Sequence, residues 1–132
     1  MMHFRYDTSH HWFKGNLHIH STASDGGKTF AELADLYATA GYDFLFRTDH
    51  WVASDVGGDR ADYPLLWLDG IELDGWGPDG EYGHVLCLGK VEAMAREDGL
   101  PAAIAAARER DALCFLAHPQ WSGNALDTCE RW

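Results

Sequence analysis

The sequence predicts an α/β fold of about five strands and at least two helices, and three observations carry that expectation. Short apolar runs bounded by glycine and proline alternate with stretches of helical periodicity. Two of those runs are apolar on both faces, as the strands of a covered parallel sheet are. The chain has 132 residues, 46% hydrophobic and 23% charged, without a low-complexity run, which suits one globular unit with a real core.

The elements follow in order. Residues 14–20 alternate, with Leu17 and Ile19 on one face and His18 and His20 on the other, as a half-polar strand does. A loop over residues 21–28 comes next. Thr29 and Glu32 form a capping box, and Phe30, Leu33, Ala34, Tyr37 and Ala40 recur at helical spacing until Gly41, which is placed to stop the helix. Residues 44–46 (Phe-Leu-Phe) form a buried strand, which closes a βαβ unit. Residues 65–73 and 84–88 are two further strands, separated by the glycine-rich DGWGPDGEYG. Pro101 opens an alanine-rich helix, since proline fits a first helical turn. Residues 113–117 are another buried strand, which runs into His118-Pro119. There is no internal repeat and no linker, so residues 1–132 read as a single domain.

Composition narrows the function. The formal net charge of −11, from 21 acidic against 10 basic residues, repels nucleic-acid backbones and argues against a nucleic-acid partner. Bound divalent ions would reverse that field locally. No apolar run is long enough to cross a membrane and the first residues do not resemble a signal peptide, so the expected location is cytoplasmic, away from any membrane. Cys87, Cys114 and Cys129 are an odd number without a CxxC pair, which fits free thiols in a reducing compartment.

The chemistry-bearing residues gather at strand ends. His18 and His20 close the first strand, and Asp25 lies in the loop after it. Asp49 and His50 follow the second strand, Glu72 ends the third, His84 opens the fourth and His118 ends the last. Each has a plain alternative. Asp25 before Gly26 suits a turn, Asp49 suits a cap or a supporting contact, Glu72 could be a surface acid, and His84 or His118 a satisfied core histidine. The coincidence outweighs these readings one by one: five of the eight histidines fall at strand ends that would share one rim, where catalytic groups of barrels collect. Imidazoles at i and i+2 of a strand can grip one ion, and a carboxylate can bridge two ions about 3.5–4 Å apart, as hydrolytic two-metal sites require. Mixed histidine and carboxylate donors suit zinc, manganese or iron better than magnesium or calcium.

HIHSTASDG, then TDH, GIELDG, GHVLCLG and AHP resemble the ordered motifs of the PHP (polymerase and histidinol phosphatase) metal-dependent hydrolase family. WFKGNLHIHS, AGYDFL and LAHPQWSG are most similar to its carbaryl-hydrolase-like branch. The resemblance implies a distorted TIM-like (β/α)7 barrel holding two or three divalent ions, and metal ligation by His18, His20, Asp25, His50, Glu72, His84 and His118. In that scheme His18 and His20 bind a first ion, Glu72 bridges to a second held by His84 and His118, and Asp25 and His50 serve a third; Glu72, Asp25 and His50 are the candidate catalytic residues. The implied activity is hydrolysis of small phosphate esters by a metal-activated hydroxide, with carbamate or carboxylic esters in the similar branch.

Family members also carry a later Asp-x-His motif, which this sequence lacks. A whole barrel commonly needs about 250 residues, so the chain reads as the amino-terminal part of such a domain. Two expectations follow. One alternative function is a non-catalytic metal-binding or assembly remnant. The other concerns residues 113–117, which would present an unpaired apolar strand edge and favour a homo-oligomer.

Substrate signals are thinner. Trp51 and Trp121 sit next to the histidine motifs and suit either an aromatic wall for an organic leaving group or ordinary packing. Arg47 is expected to form a supporting salt bridge on the side of Asp49 rather than a phosphate clamp. Lys28 and Arg60 lie in loops near the rim. Tyr82, His3, His10 and His11 receive no role.

Overall fold

The computed structural model describes residues 9–54 and 62–131; His3 and Arg60 lie outside them. Five strands form a single mixed sheet in the order β1-β2-β3-β4-β5, curled into half of a barrel. They are β1 (Gly15–Asn16), β2 (Phe44–Arg47), β3 (Leu66–Trp76), β4 (Tyr82–Leu88) and β5 (Leu113–Ala117). The helices are α1 (Phe30–Thr39), α2 (Leu100–Arg108) and the short α3 (Leu126–Cys129). Among the described residues no helix is long and apolar enough to cross a membrane.

Helix α1 begins where the sequence places it. The Thr29 hydroxyl accepts from Glu32 N at 3.4 Å, while the Glu32 carboxylate accepts from Thr29 N at 2.8 Å, so two otherwise unpaired amides are satisfied. Gly41, at φ +76°, ends it in a conformation that costs other residues energy.

The first three strands are parallel, but β3 pairs antiparallel with β4, and β4 antiparallel with β5. Strand β3 is longer than expected and runs through Asp74, Gly75 and Trp76, because each finds a partner across the hairpin in His84, Gly83 and Tyr82. The stretch read from sequence as a glycine-rich separator is therefore half ladder, turning over residues 77–81, where Gly77 N donates to Glu81 O at 2.7 Å. The first strand is shorter than expected. Only Gly15 and Asn16 pair with β2, and His18 and His20 continue beyond the ladder.

Alternation along the strands separates two faces. Trp67, Ile71 and Leu73 of β3 turn toward the helices. There Leu33, Ala34 and Leu45 pack with Trp67, and Leu100, Ala103 and Ala107 of α2 pack on Ile71, Leu73, Val85 and Cys87. Cys87 and Cys114 face each other across β4 and β5 with Sγ atoms 3.7 Å apart, as free thiols, and burial pushes the Cys87 thiol up. The other face carries Phe46, Leu86, Leu88 and Ala117. Strand β5 lies at the sheet's edge, as the sequence suggests, but it is not buried: among the described residues nothing covers Leu113 and Phe115, which are exposed.

Candidate metal centre

Glu72 is the centre around which the site is built. It sits on β3 facing away from the helices and is completely buried. His18 Nε2 and His20 Nε2 each lie 2.9 Å from Glu72 Oε2, and the two nitrogens are 3.0 Å apart. His50 Nε2 is 3.5 Å from the same oxygen, while His118 Nε2 approaches Oε1 at 3.3 Å. Asp25 stands at the mouth, with Oδ1 3.5 Å from His20 Nδ1 and Oδ2 4.0 Å from His50 Nε2. His18, His20, Asp25, His50, Glu72, His84, His118 and Trp121 together line one cavity of about 440 Å³.

Chain geometry explains the convergence. His18 and His20 are delivered by the extended chain leaving β1, which Thr48 holds through Ile19 N to Oγ1 at 2.8 Å and Oγ1 to Ile19 O at 3.0 Å. His50 follows β2 and bridges Glu72 in parallel. His84 does not open its strand, which starts at Tyr82, but lies near that start and reaches the same mouth because β4 runs antiparallel; it stands between Asp74 and Ala117 in the ladder. His118 leaves β5 with φ +28°, and Trp51 follows His50 with φ +56°. Both are left-handed conformations at non-glycine residues, of the kind held in place at functional sites by surrounding contacts.

The loop carrying Asp25 is tied down from beneath. Buried Asp49 accepts from Ser21 N at 2.7 Å, Ser21 Oγ at 2.8 Å and Ser24 Oγ at 2.7 Å, which is the supporting role expected of it. A Cβ on Gly26 would lie 2.1 Å from the carbonyl oxygen of His20, so the loop can pass this close to the histidine only with glycine there.

Electrostatics follow the packing. Burial opposes ionisation of Glu72, but hydrogen bonds from His18 and His20, and the charge of His18 and His50, hold its carboxyl well below the usual range. The hydrogen bond to Glu72 in turn raises His20 against the opposing effect of burial. Burial lowers His84.

The donor set fits divalent cations. Three groups of side chains bring ligand atoms within 4.8 Å of one another: His18, Glu72 and His118; His20, Asp25 and His50; His50, Glu72 and His84. Glu72 Oε1 is buried without a hydrogen-bond partner, as are Nδ1 of His20 and of His118. Buried polar atoms are seldom left so. Imidazole nitrogens 3.0 Å apart are spaced much as two ligands of one tetrahedral zinc, roughly 3.3 Å for Zn–N bonds of about 2.0–2.1 Å.

Two features near the cavity escaped the sequence reading. Asp74, two residues beyond Glu72, is nearly buried and accepts from Tyr82 Oη at 2.5 Å, from Trp51 Nε1 at 2.9 Å and from both Arg96 Nη atoms at 2.9 and 3.0 Å. Tyr82, without a role in the sequence, is thus a partner of Asp74, and Arg96 was not singled out at all. The Arg47 guanidinium lies over the Phe30 ring, 3.3 Å from its centroid, on the α1 side and away from the cavity. Trp121 is largely exposed, stands edge-on to His118 at 4.9 Å and lies parallel to His84 at 6.5 Å. Lys28 is exposed and does not line the cavity.

No protein-family profile and no curated protein matches the sequence. Among solved structures, an amidohydrolase from Chromobacterium violaceum, described with bound sulfate and no metal, aligns at 24% identity with a TM-score of 0.46. The alignment covers 74% of this chain and 32% of that one, so the chain spans about a third of that structure's length.

Proposed function

We propose that this chain carries the metal centre of a PHP-type hydrolase that cleaves small phosphate esters or related carbamate and carboxylic esters. The observation that supports this most directly is Glu72, wholly buried with one oxygen that accepts no hydrogen bond and four histidine Nε2 atoms within 3.5 Å of its carboxylate. His18, His20 and Glu72 would hold one ion, Glu72, His84 and His118 a second, and Asp25 with His50 a third. Such ions, when bound, supply Lewis acidity and water that is acidic near neutral pH. Glu72, surrounded by imidazoles, would bridge, while Asp25, two-thirds exposed at the mouth, would orient a substrate or take its proton. Trp121 supplies a flat apolar surface against which an organic leaving group would rest.

The test is metal content by mass spectrometry, followed by hydrolysis of p-nitrophenyl phosphate with and without added manganese, in the parent, His20→Ala and Glu72→Ala. The expected result is bound metal and turnover in the parent and the loss of both in each variant. Metal without turnover against any phosphate, carbamate or carboxylic ester would favour the binding remnant. Equal metal content in all three proteins would overturn the metal centre itself.

A further inference from the structure

We infer that Asp74 is the positioning residue of His50: it holds the Nδ1 edge of that imidazole and the neighbouring Trp51 indole, so that His50 Nε2 turns toward Glu72 and the cavity. The inference rests on the metal-centre reading only for the purpose of that orientation, not for the contacts that produce it.

His50 has its two ring nitrogens in different surroundings. Nε2 looks into the cavity, 3.5 Å from Glu72 Oε2 and 4.0 Å from Asp25 Oδ2. Nδ1 lies 3.1 Å from Asp74 Oδ1, an electrostatic approach that is not aligned as a hydrogen bond. An anionic oxygen at that distance favours the tautomer with the proton on Nδ1 and leaves the lone pair of Nε2 facing the cavity, as a ligand or base requires.

Asp74 can impose this because it is itself immobilised. Arg96 grips both carboxylate oxygens, and Tyr82 Oη donates to Oδ2. The guanidinium is an ion-pair partner as well as a donor, with Nη1 2.9 Å from Oδ2. The same carboxylate reaches the chain a second time through Trp51 Nε1 at 2.9 Å. Trp51 also donates its backbone N–H to Glu72 O at 3.0 Å, and the Arg96 guanidinium lies 5.2 Å from the centre of its ring. The left-handed turn at Trp51 is therefore fastened at main chain and side chain, and it carries His50 with it. A carboxylate placed only for fold stability would have no reason to address two consecutive residues of the corner that delivers a cavity histidine.

Two readouts test this on the whole chain. The first is the His50 tautomer in 15N-labelled, metal-stripped protein at pH 8, read from long-range 1H–15N correlations and assigned by the signals lost in His50→Gln. The second is zinc affinity by calorimetry. The parent should show the proton on Nδ1. In Asp74→Ala the proton should move to Nε2, the tautomer usual for an unconstrained imidazole, and zinc binding should weaken by about 10–100-fold. Asp74→Asn keeps the shape and removes the charge, so it serves if the alanine variant does not fold, and a mixture of tautomers is expected. Tyr82→Phe keeps the two-pronged grip of Arg96 on Asp74 and should leave the tautomer unchanged. A proton that stays on Nδ1 in both Asp74 variants, with zinc affinity within twofold of the parent, overturns the inference while sparing the metal centre. A parent that binds no zinc but whose His50 proton moves on replacing Asp74 overturns the metal centre and upholds the positioning role.

Discussion

Glu72 and Asp74 are two buried carboxylates on one face of one strand, and their surroundings are opposite. Asp74 is answered by a guanidinium, a phenol and an indole, which remain donors throughout the neutral range. Glu72 is approached only by imidazoles among the described residues, and its Oε1 accepts no hydrogen bond, although His118 Nε2 lies 3.3 Å away. The protein completes one carboxylate from its own side chains and leaves the other to be completed by something else. A buried charge compensated in full fixes geometry, whereas one left short marks where a ligand is to be held.

Three measurements would sharpen or break this contrast. The largest effect is expected at Glu72. In zinc at a hundred times its dissociation constant the parent should gain about 2.7 kcal/mol of stability, and Glu72→Gln should lose that gain. Without metal the same substitution should cost less than that lost gain, because an amide oxygen can still accept from His18 or His20. Denaturant melts in zinc and in chelator give both numbers, and a parent indifferent to zinc would erase the distinction between the two carboxylates. Asp74→Asn should already lose stability in chelator, by about 1–3 kcal/mol, because Arg96 and Tyr82 would face a neutral amide. If it proves harmless in that melt, Asp74 is not the completed member of the pair. The smallest effect lies away from both. Thr29→Ala removes the cap of α1 and should cost about 1 kcal/mol with zinc affinity unchanged, which calibrates the other two.

Much of the site was legible because its donors sit at places that pattern reading finds. His18 and His20 stand two apart on an extended segment, and His50, Glu72 and His118 stand at the ends of apolar runs. The structure brings all of them to one cavity. Helix α1 was legible from its cap and its glycine stop, which are local signals. Asp74 was not, because Gly75 and the glycines after it read as loop; the ladder to β4 that keeps β3 going is a contact with a later segment, invisible to local periodicity. Arg96 lies 22 residues from Asp74 and meets it only through the tertiary fold. Strand β5 was read as buried from its composition, although burial depends on what lies beside a strand and not on the strand alone.

The reversal of β4 has an outcome for how such a site can diversify. Because the hairpin doubles back just past Asp74 and His84, its tip over residues 77–81 lies at the same end of the β3–β4 ladder as His84. Residues inserted at that tip would shift neither the pairing of β3 with β4 nor the packing of α2 beneath them. New walls, flaps or recognition surfaces can thus be added at the His84 end of this hairpin while the frame that aims the histidines stays as it is.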